Sequence, residues 1–163
     1  MIKKLLLTLI LSFFLVTNSF SAGSSDSGSS KTKTQYDMAV SHINAAKKFE
    51  EKDKLKKAKK RYEKAQKLLI QSNEKFPSKA DTLNYLGFTT RKLGDYENGE
   101  KYYLQGLAID PNHRGINEYL GELYVATGRH NLAVERLEVL KNCSCSEYED
   151  LKAIIAGEKV SKY

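Results

Sequence analysis

Two cysteines separated by a single serine, Cys143-Ser144-Cys145, are the residues whose type and spacing could most directly do chemistry in this chain. A bridge across one residue closes a small, strained ring that is more reducible than an ordinary disulfide. Three uses fit the spacing: a local disulfide that tightens a turn, thiols kept reduced or paired between molecules, or a redox-active pair. Thioredoxin-like chemistry normally needs a βαβ setting, and no such pattern surrounds this pair. A metal centre is weaker still, because His113 and His130 belong to different turns and a four-ligand cluster is missing. His42, His113 and His130 are isolated in sequence and read as polar surface or inter-helix residues. No Ser-His-Asp arrangement, phosphate-binding glycine loop or zinc-binding His-Glu helix pair occurs. The sequence therefore points to no catalytic residue, no metal and no cofactor, and the function it favours is non-enzymatic.

A second group with chemical potential is the lysine block EEKDKLKKAKKRYEKAQK. Residues 31–75 carry 14 Lys or Arg against 6 Asp or Glu, whereas residues 76–163 carry 11 against 13, so the basicity belongs to one segment. On a helix the block places Lys56, Lys57, Lys59, Lys60, Arg61 and Lys64 around an apolar stripe of Leu55, Ala58, Tyr62, Ala65 and Leu69. Such a face is ordinarily a solvated one with long-range attraction for anions. Its functional reading is an anionic partner: lipid headgroups, acidic envelope polymers or an acidic protein surface. Nucleic acid is not expected, since no groove-reading motif is present.

The compartment follows from the N-terminus. Lys3 and Lys4 precede an apolar run from Leu5 to Val16, and Ser19-Phe20-Ser21-Ala22 has small residues where signal peptidase requires them. Residues 1–21 are expected to be a signal peptide, cleaved after Ser21. A 12-residue run falls short of the roughly 20 apolar residues that span a bilayer, so no membrane span is expected after cleavage. Residues 22–34, rich in Ser and Gly, read as a flexible linker. The mature chain is expected to be periplasmic or secreted, where neighbouring thiols are normally oxidised.

The elements that must position these groups come from periodicity. With 40% hydrophobic side chains, 29% charged ones and only two prolines, the chain is long enough for one modest, mostly helical core. Leu83, Leu86, Thr90 and Leu93 share one helical face and end at Gly94; Tyr96, Gly99, Tyr103, Gly106 and Leu107 form a second face that ends before Asp110-Pro111. Shifted by 34 residues, the frame recurs as Leu120, Tyr124 and Gly128, then His130, Ala133, Leu137 and Leu140. Each unit is a helix, a short glycine turn and a second helix. Glycine inside a helix costs about 0.5–1 kcal/mol relative to alanine, so Gly87, Gly99, Gly106 and Gly121 are expected where helix backbones approach closely.

These residues resemble the tetratricopeptide repeat. Leu86-Gly87, Gly94, Tyr96, Tyr103 and Pro111 fill its pattern once, and Leu120-Gly121, Tyr124, Gly128, Ala133 and Leu137 fill it again. Two positions depart from it, His130 for the usual tyrosine and Cys145 for the closing proline. Tyr62, Ala65, Leu69 and Pro77 lie one period upstream, but Lys52 and Asp53 occupy the places of Leu86 and Gly87. Tyr36, Ala39, Val40, Ile43 and Ala46 make a better first helix, which implies an insertion before Leu55 or one continuous long helix. Downstream, Leu151 and Ile154 mark a lone helix that caps the stack. The resemblance thus implies an all-α, right-handed α-solenoid: a degenerate lysine-rich repeat at 35–77, repeats at 80–111 and 114–145, and a capping helix at 146–160. The whole layout is similar to small exported bacterial repeat proteins.

The resemblance also implies where a partner would sit. First helices line the concave wall of such stacks, which generally holds proteins or peptides. The lining residues would be Asp81, Asn84, Tyr85, Phe88, Arg91 and Lys92, then Gly115, Glu118, Tyr119, Glu122 and Val125. Tyr85, Phe88 and Tyr119 stand off the buried stripe, which suits aromatic partner contacts. The carboxylate-gripping mode of chaperone adaptors needs Lys, Asn and Arg at positions held here by Tyr85, Gly115 and Tyr119, and is not supported.

Overall fold

The structure is a computed structural model that describes residues 33–161. The expected signal peptide, and the linker up to Lys31 and Thr32, lie outside the described residues. Within them are seven α-helices and no strand: α1 (Gln35–Glu50), α2 (Leu55–Lys75), α3 (Ala80–Lys92), α4 (Tyr96–Ile109), α5 (Arg114–Ala126), α6 (His130–Leu140) and α7 (Ser146–Ile155). They pair as hairpins α1/α2, α3/α4 and α5/α6, each packed on the next, and α7 closes the end against α5 and α6. The chain is an all-α solenoid of helical hairpins.

Local signals explain the boundaries. Thr34, the last residue assigned to the linker, instead starts α1: its hydroxyl accepts the Asp37 backbone N–H at 3.1 Å while Asp37 accepts the Thr34 N–H at 3.0 Å, a reciprocal capping box. Residues 35–75 are two helices rather than one, separated by a turn in which Asp53 takes φ 52°. At 21 residues, α2 is the longest helix, and it stops at Phe76 because Pro77 disfavours helical backbone at the residue before it.

The glycine turns have one shared design. The Asp95 N–H bonds the Thr90 carbonyl at 3.1 Å and the Gly94 N–H bonds that of Arg91 at 2.9 Å. The same two bonds recur 34 residues on, from Arg129 to Tyr124 and from Gly128 to Val125. This double bond pattern requires a residue with positive φ, and Gly94 and Gly128 have φ 98° and 75°. Gly157 ends α7 in the same way, with φ 73°.

The core runs through the stack. Ala39, Ile43 and Ala46 of α1 meet Ala58, Tyr62, Ala65 and Leu69 of α2, and this cluster continues into Leu83, Leu86 and Phe88 of α3. Tyr103, Ile116, Leu120, Leu123, Tyr124 and Ala133 form the second cluster, and Tyr119 packs against both. Tyr96 and His130, placed by periodicity on the buried stripe, are exposed instead, because each is the first residue of its helix.

The helical glycines make room mostly for side chains, which corrects the expected backbone contacts. A Cβ on Gly87 would lie 2.5 Å from the Tyr103 ring, and one on Gly121 would lie 2.5 Å from Leu151. Only Gly99 faces backbone: a Cβ there would lie 3.2 Å from the Gly87 carbonyl oxygen.

Candidate functional site

The odd-numbered helices share one wall, and two depressions open on it. The larger, about 720 Å³, is lined by α1 through Lys47 and Glu50, by α3 through Phe88, Arg91 and Lys92, by α5 through Glu118, Tyr119 and Glu122, and by Asp150 and Ile154 of α7. The smaller, about 510 Å³, holds Asp81, Asn84 and Tyr85 of α3, His113, Arg114 and Gly115 before and in α5, and Glu147 of α7. Glu118 and Tyr119 line both. The structure therefore gathers Asp81, Asn84, Tyr85, Phe88, Arg91, Lys92, Glu118, Tyr119 and Glu122 on a single wall.

Their exposure differs from expectation. Phe88 is 1% exposed and belongs to the core, edge-on to Tyr62 at 5.8 Å and tilted against Tyr119 at 5.0 Å between ring centroids. It does not stand off the buried stripe, because α3 is enclosed by α1, α2, α4 and α5. A signal for this existed: from Thr82 to Thr90 no residue is charged, and a helix without a polar face is a buried one. Tyr85 is half-buried beside Tyr36, at 5.9 Å between centroids, and Tyr119 is also half-buried.

The charged residues of the wall form a layered network. Arg91, 2% exposed, places Nη2 3.2 Å from Glu122 Oε2 and donates from Nη1 to the Tyr119 carbonyl at 2.8 Å. Lys92 pairs with Glu50 at 2.5 Å, and the Tyr62 hydroxyl donates to the same carboxylate at 2.9 Å. Burial pulls the Lys92 ammonium below its ordinary range, while Glu50 works against that. Lys47 sits 4.8 Å from the Phe88 ring centroid and donates to the Tyr119 hydroxyl at 3.4 Å. Burial, reinforced by Glu122, Asp150 and Glu147, pushes the Glu118 carboxyl up to about 8, with Lys47 opposing. Lys47, Glu50 and Asp150 were not foreseen from sequence, because α1 lies outside the regular repeat register and α7 was read as a cap rather than as part of the lining.

At the edge of the smaller depression, His113 has two fixed roles. Its Nδ1 accepts the Ile116 backbone N–H at 3.2 Å, so the neutral ring carries its proton on Nε2, which faces Asp81 Oδ1 at 3.1 Å. His42 lies elsewhere, beside Arg61 at 3.0 Å, and burial with the Arg61 charge lowers its pKa. His130 is exposed on α6. Lys56, Lys57, Lys59, Lys60 and Lys64 are exposed on α2 and Arg61 is half-buried; none lines either depression. Cys143 and Cys145 form a disulfide in the turn between α6 and α7, with Ser144 at φ 48°.

Among the described residues no helix is long and apolar enough to cross a membrane. The tetratricopeptide repeat family matches residues 80–113, the α3/α4 hairpin and the turn after it. That match supports a protein of the tetratricopeptide repeat class, whose repeats are non-catalytic scaffolds and generally protein-interaction modules. No curated protein matches the chain.

Proposed function

We propose that this chain is an exported adaptor that holds a protein or peptide along the wall formed by α1, α3, α5 and α7. The observation that carries the reading is the gathering of aromatic and charged side chains from four separate helices around one continuous pair of depressions. A wall of this kind offers rigid aromatic edges at Tyr85 and Tyr119 together with preset charges, the combination that gives interfaces their anchors and register. The signal-like N-terminus supports a role in the cell envelope, as in the small exported bacterial repeat proteins whose layout it resembles. A photo-crosslinking residue installed at Tyr85 should give a discrete adduct in intact envelopes, whereas one at exposed Leu104 on α4 should not. Equal labelling from both positions, or none from Tyr85, would exclude the wall as the binding face.

A second reading rests on α2, whose exposed Lys56, Lys57, Lys59, Lys60 and Lys64 form a basic strip away from the wall. It would attach the protein to anionic envelope components. Binding to vesicles containing anionic lipid should then fall steeply between low and physiological salt, and salt-independent binding would rule the strip out. A thiol oxidant built on Cys143 and Cys145 is the least favoured reading; Cys143→Ser with Cys145→Ser leaves an adaptor competent and abolishes an oxidant.

A further inference from the structure

Three ion pairs match most of the buried charge on the larger depression. Arg91 meets Glu122, Lys92 meets Glu50, and Lys159 meets Asp150. Lys47 lies over the Phe88 ring and bonds the Tyr119 hydroxyl. Glu118 differs: it is 9% exposed and its side chain forms no hydrogen bond or ion pair among the described residues. Its carboxylate lines both depressions, at their junction. Asn84 Oδ1, which belongs to the smaller depression, is likewise buried without a hydrogen-bond partner. A buried acceptor without a partner, such as Asn84 Oδ1, is unusual, since buried polar groups are nearly always satisfied, and the unpaired Glu118 side chain lies on the same wall.

We propose that the junction of the two depressions at Glu118 is the seat of a primary ammonium group carried by the bound partner. The groups facing Glu118 are Lys47 from α1, Glu122 on its own helix, and Glu147 and Asp150 from α7. Three of these four are acids, and the only opposing charge is already engaged with aromatic rings. An ammonium donates three hydrogen bonds and accepts none, so it suits a wall that offers acceptors. Lys159 gives an internal precedent: the segment after α7 already sets an ammonium on Asp150, next to Glu118 on the same wall. The overall positive charge of the chain does not oppose this, because it resides in residues 31–75, while residues 76–163 are net acidic. Burial holds the Glu118 carboxyl protonated through much of the neutral range, and an arriving ammonium would displace that proton to solvent.

The inference deepens the adaptor reading and rests on the wall being the partner face. An ammonium can come from a lysine side chain or from a chain terminus. The test therefore follows the Glu118 carboxyl carbon by NMR in the intact mature protein, its signal identified by loss in Glu118→Gln. Three probes are added in turn: acetyl-Ala-Lys-Ala-amide, Ala-Ala-Ala-amide with a free amino terminus, and acetyl-Ala-Lys-Ala-amide acetylated on the lysine nitrogen. An opposite charge at this range lowers a carboxyl midpoint by about one unit or more. That drop is expected with the first probe, the second, or both, which identifies the source, and is absent with the third. An unchanged midpoint with all three, or an equal change with the acetylated probe, overturns the proposal. Crosslinking from Tyr85 separates the two readings. An adduct that survives Glu118→Gln, without a midpoint change, leaves the adaptor standing and removes the ammonium seat; a midpoint change without an adduct does the reverse.

Discussion

Arg91 and Glu122 meet at 3.2 Å between α3 and α5, one 2% and the other 5% exposed, so a buried ion pair is one of the contacts that join the second and third hairpins. Arg91 also satisfies the Tyr119 carbonyl. Removing one partner of such a pair strands the other charge and typically costs about 3–5 kcal/mol, whereas replacing both by apolar residues is often far milder. Arg91→Leu should lower stability by that amount in urea unfolding. The double change Arg91→Leu with Glu122→Leu should lose clearly less than the two single losses added together; strict additivity would show that the pair does not couple the hairpins.

Phe88 and Tyr85 are one turn apart on α3 and should behave oppositely. Phe88→Ala empties a position enclosed by Tyr62 and Tyr119 and should cost about 3–5 kcal/mol of stability. Tyr85→Ala removes a half-buried ring at the wall and should cost far less, while weakening partner capture. Thermal melts of both variants decide this, and equal losses would mean that Tyr85 is also core.

Glu118 gives stability a pH signature. Its folded pKa, about 8, is raised above the ordinary glutamate value of 4.5. The folded state therefore holds its proton over a range where the unfolded state has lost it, and the stabilising effect is complete below pH 4.5 and fades as pH rises through 8. Glu118→Gln should change stability near pH 5 by less than about 1 kcal/mol and raise it at pH 9 by on the order of 5 kcal/mol relative to the native chain. Unfolding midpoints at the two pH values measure the difference, and a parallel pH profile for both proteins would contradict the placement of Glu118.

Tyr103 has its ring fully buried against Gly87, and its hydroxyl finds no hydrogen-bond partner among the described residues. A buried unsatisfied hydroxyl costs about 1–3 kcal/mol. Tyr103→Phe should accordingly be neutral or stabilising in denaturant titration. Gly87→Ala would instead drive a methyl into the same ring and destabilise by about 1–3 kcal/mol.

The helices and their glycine turns were legible because the forces that set them act within a few residues. Gly94 and Gly128 recur at the repeat period, since each turn needs a positive φ two residues before the next helix. The register of the first helices named residues of α3 and α5 that line the two depressions, but not Lys47, Glu50 or Asp150. The exposure of the wall residues was not legible. Phe88, Arg91, Asn84 and Glu122 were expected to face a partner, yet all are buried. With only three hairpins, α3 and α5 are covered on several sides at once, and a single-face periodicity has no means of recording a second covered face.

By itself the sequence determined that helical hairpins repeat and where the glycine turns of the two regular repeats fall, because turn geometry and helical period are local; the break between α1 and α2 was left open. Only the tertiary structure decided which charges on that wall are matched and which are left over. The pairing of Glu50 with Lys92, the enclosure of Arg91 by Glu122 and Tyr119, and the solitary state of Glu118 each depend on side chains from separate helices converging. Burial and Coulomb interaction act through space, at distances that no spacing along the chain encodes.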